Sequence, residues 1–210
     1  MDDEFFSSEE VASFYNRLIY GKKTDDIDAS INNAYLDFCR TIRGFTKKKK
    51  TNGKKKNEHG KKINKRRLTK NKKINTIIKD KASSILKECL ENINVKSQDD
   101  FDTWHKKTCE RLIDAFKGHK VQFHFGQAQK WINMTFKYLA MRKCKRFRNI
   151  YQYCHIPIDN VILKSVGYHF KYVAWSRLDR YEDYLNFQKG FRNKELPPLK
   201  QELRLWLGQD

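Results

Sequence analysis

The 210-residue chain contains only three prolines, nine glycines and five cysteines, and no apolar run approaches the roughly 18 residues of a membrane-spanning helix. So few prolines and glycines leave helices with few interruptions. Cys39, Cys89, Cys109, Cys144 and Cys154 stand singly; no C-x-x-C pair supplies zinc-site spacing, and an odd number argues against a disulfide framework. They are expected to be reduced, mostly buried small hydrophobes. His59, His105, His119, His124, His155 and His169 form no recognisable ligand spacing with Cys, Asp or Glu, so neither a metal nor another cofactor is expected. Met1-Asp2-Asp3-Glu4 is acidic where a secretory leader would be basic, which places the expected compartment in the cytoplasm, without a membrane partner.

Acidic residues are scarcest in one segment. Between Lys47 and Lys73 there are 15 Lys/Arg against the single acid Glu58, a net +14, whereas the other 30 basic and 24 acidic residues carry only +6. A polyanion is therefore favoured as partner, with most of the attraction concentrated in one stretch. Residues 46–73 also contain Asn52-Gly53 and no apolar face, and they read as a basic low-complexity loop or arm, flexible when unbound.

The remainder, at 39% apolar and 13% aromatic overall, suffices for one sizeable core and thus a single helical domain over 1–210. Helical spacing recurs through Phe14, Leu18 and Ile19, then through Ile31, Tyr35, Phe38 and Ile42, with Ser30 as a candidate cap and Gly44 as a stop. It returns at Ile74 and continues through Ile77, Ile78, Ala82, Ile85, Leu86, Cys89 and Leu90. Further helices are expected over 99–116, closed by Gly118, and over 127–141. Arg142 to Tyr153 runs basic and aromatic up to the break at Pro157. Asp159 is placed to cap a short helix through Val166 that Gly167 closes, and helical pieces follow near 171–185 and 199–207, separated by Pro197-Pro198. No alternating strand pattern competes, and the class is all-α.

Two segments carry a resemblance. Pro157-Ile158-Asp159-Asn160-Val161-Ile162 looks like the P-[VIL]-D-x-x-[VI] element of helix-hairpin-helix DNA glycosylases of the endonuclease III and 8-oxoguanine class. The segment from Gly126 and Lys130 through Leu139 is similar to their lysine-bearing element, most of all in the archaeal-type 8-oxoguanine enzymes, which share a long lysine-to-aspartate interval. The likeness covers about residues 120–170. It departs from the family at the hairpin: no L-P-G-[VI]-G is present, and Phe123-His124-Phe125-Gly126 offers a single glycine, with Lys130 further beyond it.

The resemblance implies a base-excising glycosylase on duplex or single-stranded DNA, with a helix-hairpin-helix-like fold interrupted by the basic insertion. Asp159 would stabilise positive charge on the sugar as the N-glycosidic bond breaks. Lys130 would be the amine nucleophile that forms a Schiff base. The extruded base needs a pocket, for which Phe125, Gly126, Gln127, Trp131, Tyr138, His155 and Trp175 are candidates. Lys143, Lys145, Arg146, Arg148, Lys65, Arg66 and Arg67 are candidates for the DNA backbone.

Two other readings compete. Arg148-Asn149 and then His155, with six intervening residues, fits the R-x4–6-H pattern of HEPN-type ribonucleases, all-α proteins that act as dimers. A non-catalytic helical nucleic-acid binder would use the same basic stretches, with Phe147, Tyr151 and Tyr153 stacking on bases. It leaves Lys130 and Asp159 unexplained.

Overall fold

The structure, a computed structural model, describes residues 27–44, 58–170, 173–192 and 194–209, with backbone alone over 58–73. Seven α-helices and no strands occur among them: α1 (Ile27–Phe38), α2 (Glu58–Glu91), α3 (Gln98–Phe116), α4 (Phe125–Met141), α5 (Asn160–Ser165), α6 (Tyr181–Lys189) and α7 (Pro198–Leu207). Short 3-10 turns lie at Cys39–Thr41, Lys145–Phe147, Tyr151–Tyr153 and Trp175–Arg177. The all-α expectation holds. The expected helix around Phe14 to Ile19 falls outside the described residues.

Several boundaries move, each for a local reason. Ser30 does not cap α1; it lies inside the helix and is buried. Gly44 lies beyond the 3-10 turn that follows α1, at φ +92°, where a Cβ would stand 2.1 Å from the Lys120 carbonyl oxygen. This is a close backbone crossing that only glycine permits. Helix α2 starts at Glu58, so 58–73 of the expected arm is helical backbone. Lysine and arginine are good helix formers, and no proline interrupts them, so the helix runs N-terminally past the last apolar position. The helical piece expected over 171–185 is instead the 3-10 turn at Trp175 followed by α6 from Tyr181.

Helix α4 is central, packing on α1, on α3 and on the Trp175 turn. The pairs α1 with α2, α2 with α3 and α5 with α7 complete the assembly. Thirteen of the 17 residues of α4 are buried, so it is enclosed on nearly every side rather than along one stripe. Its Trp131 packs on Phe38 with ring centroids 5.6 Å apart and donates its indole N–H to the Ile31 carbonyl at 2.9 Å. Phe101, Trp104, Phe136 and Phe147 continue the aromatic core, and Phe116 stacks on Phe123 at 4.0 Å.

A helix buried all round must satisfy its polar side chains internally. Gln129 uses all of its amide capacity: Nε2 donates to the carbonyls of Gly126 and Ile158, and Oε1 accepts from Ile158 N and Asn133 Nδ2. Asn133 Nδ2 also reaches the Ile156 carbonyl and Tyr184 Oη, while its Oδ1 lies 3.1 Å from His105 Nε2. From α6, Gln188 brackets Ile156, accepting from its N–H and donating to its carbonyl.

The network continues outward. His155 has its Nδ1 2.7 Å from Tyr184 Oη and its Nε2 2.8 Å from Asp102 Oδ1, and Arg192 Nη2 donates to both Asp102 oxygens at 2.6 and 2.8 Å. Burial pushes the pKa of His105 well below, and that of His155 below, the ordinary imidazole range; for His155 the Asp102 carboxylate opposes the shift. For Asp102 burial acts upward, but the hydrogen bonds from His155 and Arg192 prevail and hold it well below the usual carboxylate range.

These directions fix a stability profile. Two imidazoles that stay neutral when folded but protonate when unfolded contribute stability that is complete above their unfolded pKa of about 6.5 and is lost as pH falls below it. The Asp102 contribution persists further, until pH falls below about 3.9. Urea unfolding should therefore give a lower midpoint at pH 5.5 than at pH 7.5, with His105→Gln flattening the difference. Equal midpoints for the unsubstituted protein would contradict the neutral imidazoles.

Candidate active site

A cleft of about 380 Å³ opens between α1, α4, the start of α5, the Trp175 turn and α7. Lys130 and Lys137, both lining it, lie seven residues apart, two turns along one face of α4. Placing two lysines on the most buried helix is costly unless each charge is met. Both are. Lys130 Nζ lies 2.6 Å from Asp159 Oδ2, with the two side chains 6% and 23% exposed. Lys137 Nζ lies 2.9 Å from Glu202 Oε1 and 2.7 Å from Oε2, the first contact alone being aligned as a hydrogen bond.

Asp159 is held from both sides. Its Oδ1 accepts from the backbone N–H groups of Val161 and Ile162 at 2.9 and 3.0 Å, capping α5 as its position behind Pro157 predicts. Its other oxygen is thereby turned toward α4. Gln129, one residue before Lys130, is bonded to both the N–H and the carbonyl of Ile158, one residue before Asp159. The lysine and the aspartate are thus fixed to each other by a backbone clamp as well as by charge.

The walls are mixed. Tyr138 donates its hydroxyl to Asp37 Oδ2 at 2.8 Å, and Trp175 and Trp206 add indole surface. Lys137 Nζ sits 5.3 Å from the centroid of Trp206, whose other surroundings leave it 55% exposed. Burial pushes the Glu202 carboxyl upward in pKa against the pull of Lys137.

Of the residues singled out in the sequence, Lys130, Asp159, Tyr138 and Trp175 line this cleft. The others lie behind it. Phe125 is half-buried against Tyr181, Gln127 accepts from the His124 N–H and donates to Thr41 Oγ1, and Trp131 is wholly in the core. Gly126 is buried and donates its N–H to the Leu178 carbonyl. His155 is 1% exposed with both ring nitrogens engaged, whereas Arg148 is exposed on the turn after α4. Lys143, Lys145 and Arg146 are exposed beside it, Arg146 donating to the Glu91 carbonyl at the end of α2. Lys65, Arg66 and Arg67 are on α2, their side chains outside the described residues.

Sequence reasoning missed Lys137, Glu202, Trp206 and Asp37. The heptad spacing of Lys130 and Lys137 on a segment with no other charged residue was the available signal for the first; the partners on α1 and α7 carry none. Among the described residues no group of three or more His, Cys, Asp or Glu side chains is arranged to hold a metal ion, and no helix is long and apolar enough to cross a membrane. All five cysteines are free. Comparison of the chain with protein families, with curated proteins and with solved structures gave no match.

Gly126 sets the distance between the Trp175 turn and α4. A Cβ there would stand 1.7 Å from the Trp175 carbonyl oxygen and 2.8 Å from its carbon, backbone atoms that can yield only by moving the turn. Gly126→Ala is expected to lower stability by about 3 kcal/mol. The check is urea unfolding, with Trp175 emission reporting the displaced turn; an unchanged midpoint would show that the turn is not seated on α4.

Proposed function

We propose that the chain is a DNA glycosylase with lyase chemistry, in which Lys130 is the nucleophile and Asp159 the electrostatic and proton-transfer partner. The observation that carries the reading is the contact itself. A lysine and an aspartate 29 residues apart meet at 2.6 Å in an aromatic-walled cleft, the aspartate fixed by capping and the lysine almost wholly withdrawn from solvent.

The chemistry follows from that placement. As the ammonium donor in the ion pair, Lys130 must release its proton before attack, and Asp159 Oδ2 is the carboxylate in contact to receive it. The bond from C1′ to the base then breaks with its electron pair leaving on the base, and the C1′–Nζ bond forms. Opening of the sugar ring gives the Schiff base. Asp159, protonated by that transfer, passes the proton to the departing base and, a carboxylate again, stabilises the positive charge on the sugar. Tyr138 and the two indoles supply flat surface for an extruded base. The HEPN reading has no comparable support, since His155 is enclosed by Asp102, Tyr184 and the core.

The direct test is borohydride trapping on duplex and single-stranded DNA bearing a panel of damaged and modified bases. A covalent adduct is expected with the unsubstituted protein and is lost in Lys130→Ala, while Asp159→Asn slows its formation by roughly a hundredfold or more. No adduct and no abasic product on any substrate would overturn the reading.

Backbone binding makes a separate expectation. If Lys143, Lys145 and Arg148 touch phosphates, replacing each by alanine lowers the slope of log K against log salt by about 0.9 on duplex DNA. An unchanged slope in the triple variant would remove this turn from the DNA-binding surface.

A further inference from the structure

Three cationic side chains line the cleft, and they differ in depth and in company. Lys130 and Lys137 are buried on α4, each with a carboxylate at contact distance. Arg40 is exposed, on the 3-10 turn that follows α1. Among the described residues it forms no ion pair with a carboxylate. Asp37, the remaining carboxylate of the lining, instead accepts the Tyr138 hydroxyl at its Oδ2, 2.8 Å away.

An exposed arginine is ordinary on a protein surface; this one is set apart by how its backbone is held. Thr41, next in the chain, donates its hydroxyl to the Phe38 carbonyl at 2.8 Å and accepts from the Gln127 side-chain amide at 3.0 Å. Gln127 lies one turn before Lys130 in α4. The Ile42 N–H closes the turn on the Cys39 carbonyl, and the Arg43 carbonyl accepts from the Gln122 N–H just ahead of α4. The turn that carries Arg40 is therefore fixed to the helix that carries the lysine.

Depth and pairing together order what can enter. An anion arriving from solvent meets a guanidinium whose fork of donors suits a phosphate and has no carboxylate on it. Beyond it stand two ammonium groups already neutralised, and reaching either would mean displacing a buried carboxylate. A nucleotide within a strand matches that order, since its phosphates are anionic and its sugar and base are not. The phosphate stays at the exposed arginine while the sugar passes inward to Lys130.

We propose that Arg40 is a phosphate-binding residue of the cleft, holding one of the two phosphates that flank the reacting nucleotide and so fixing how far its sugar advances toward Lys130. This rests on the glycosylase reading for the ligand being a DNA strand, but it concerns binding alone. The guanidinium takes no part in bond breaking.

The test is fluorescence-anisotropy titration of the full chain with a duplex carrying one tetrahydrofuran abasic-site analogue, which has neither a base nor a reactive C1′. Arg40→Ala, at an exposed position, is expected to keep the helical circular dichroism and to weaken binding about tenfold or more, the loss of a charge-assisted hydrogen bond. Arg40→Lys recovers part of the loss, a point charge replacing the fork. The duplex is then made with a neutral methylphosphonate replacing the phosphate on one side of the analogue, and separately on the other. At one of these two positions the unsubstituted protein is expected to bind about as weakly as Arg40→Ala, and the variant to lose nothing further.

Undiminished affinity in Arg40→Ala, or a loss in that variant as large on both neutralised duplexes as on the parent, would overturn the proposal. Because the probe cannot form a Schiff base, failure here leaves borohydride trapping intact, whereas absence of trapping leaves the phosphate dependence measurable.

Discussion

The architecture depends on how the extended segment from Ile156 to Asp159 is tied down. An irregular strip inside a helical core has backbone groups without helical partners, and each would cost on the order of 1–3 kcal/mol if left unpaired. Here side-chain amides replace the missing ladder: Gln188 takes both polar groups of Ile156, Gln129 takes both of Ile158, and Asn133 adds a second donor to Ile156. Two of those three amides project from α4. The same helix therefore carries Lys130 and holds the backbone that carries Asp159, so their separation is set by covalent spacing on one side and three amide hydrogen bonds on the other.

A buried ion pair so constructed is poor support for a purely stabilising role and favours the proposed functional one. Buried ion pairs seldom improve on well-packed apolar residues, because the desolvation of two charges offsets most of their attraction. Helix α4 has two such lysines, and both lie on its one face toward the cleft while none of its other buried positions carries a charge. Charge has been placed where there is a cavity and withheld where there is none. The His105–His155–Asp102–Arg192 network shows the opposite use of polarity. Both histidines and the Asp102 carboxylate are engaged, the histidines are closed to solvent, and the network is linked to the clamp through Asn133 and Tyr184.

Local pattern made much of this legible. The three-and-four spacing of Ile78, Ala82, Leu86 and Leu90, and of Trp131, Phe136 and Leu139, marked buried faces because helix geometry alone brings such positions together. The cap at Asp159 was equally local, since Pro157 and the following apolar residues define a helix start. The pairing of Lys130 with Asp159 came from resemblance, and its geometry agrees with that pairing. What was hidden lies in tertiary packing. Trp131 reads as a pocket wall in a list of aromatics, yet its indole is consumed by the Ile31 carbonyl; His155 reads as a pocket wall or as the histidine of a ribonuclease pattern, yet Asp102 and Tyr184 enclose it from elements 53 residues upstream and 29 residues downstream. Glu202 has no sequence signal because its partner is 65 residues away.

On the proposed reading, the distribution of charge separates two tasks, attraction of the nucleic acid and selection of the base. Of the chain's net +20, +14 falls within 47–73, and the exposed Lys143, Lys145 and Arg148 lie on the turn that follows α4. Long-range attraction to a polyanion rises with net positive charge and is weakened by salt. The cleft is built the other way, with its two lysines balanced by carboxylates at contact distance. A cleft with surplus positive charge would hold the phosphate backbone and compete with the base for entry. In the proposed glycosylase, pairing of the two lysines reduces that competition and leaves flat aromatic surface to favour the base. The burial of both lysines then matters more than their charge, because water-poor ion pairs respond strongly to a proton displaced or a donor supplied by whatever enters.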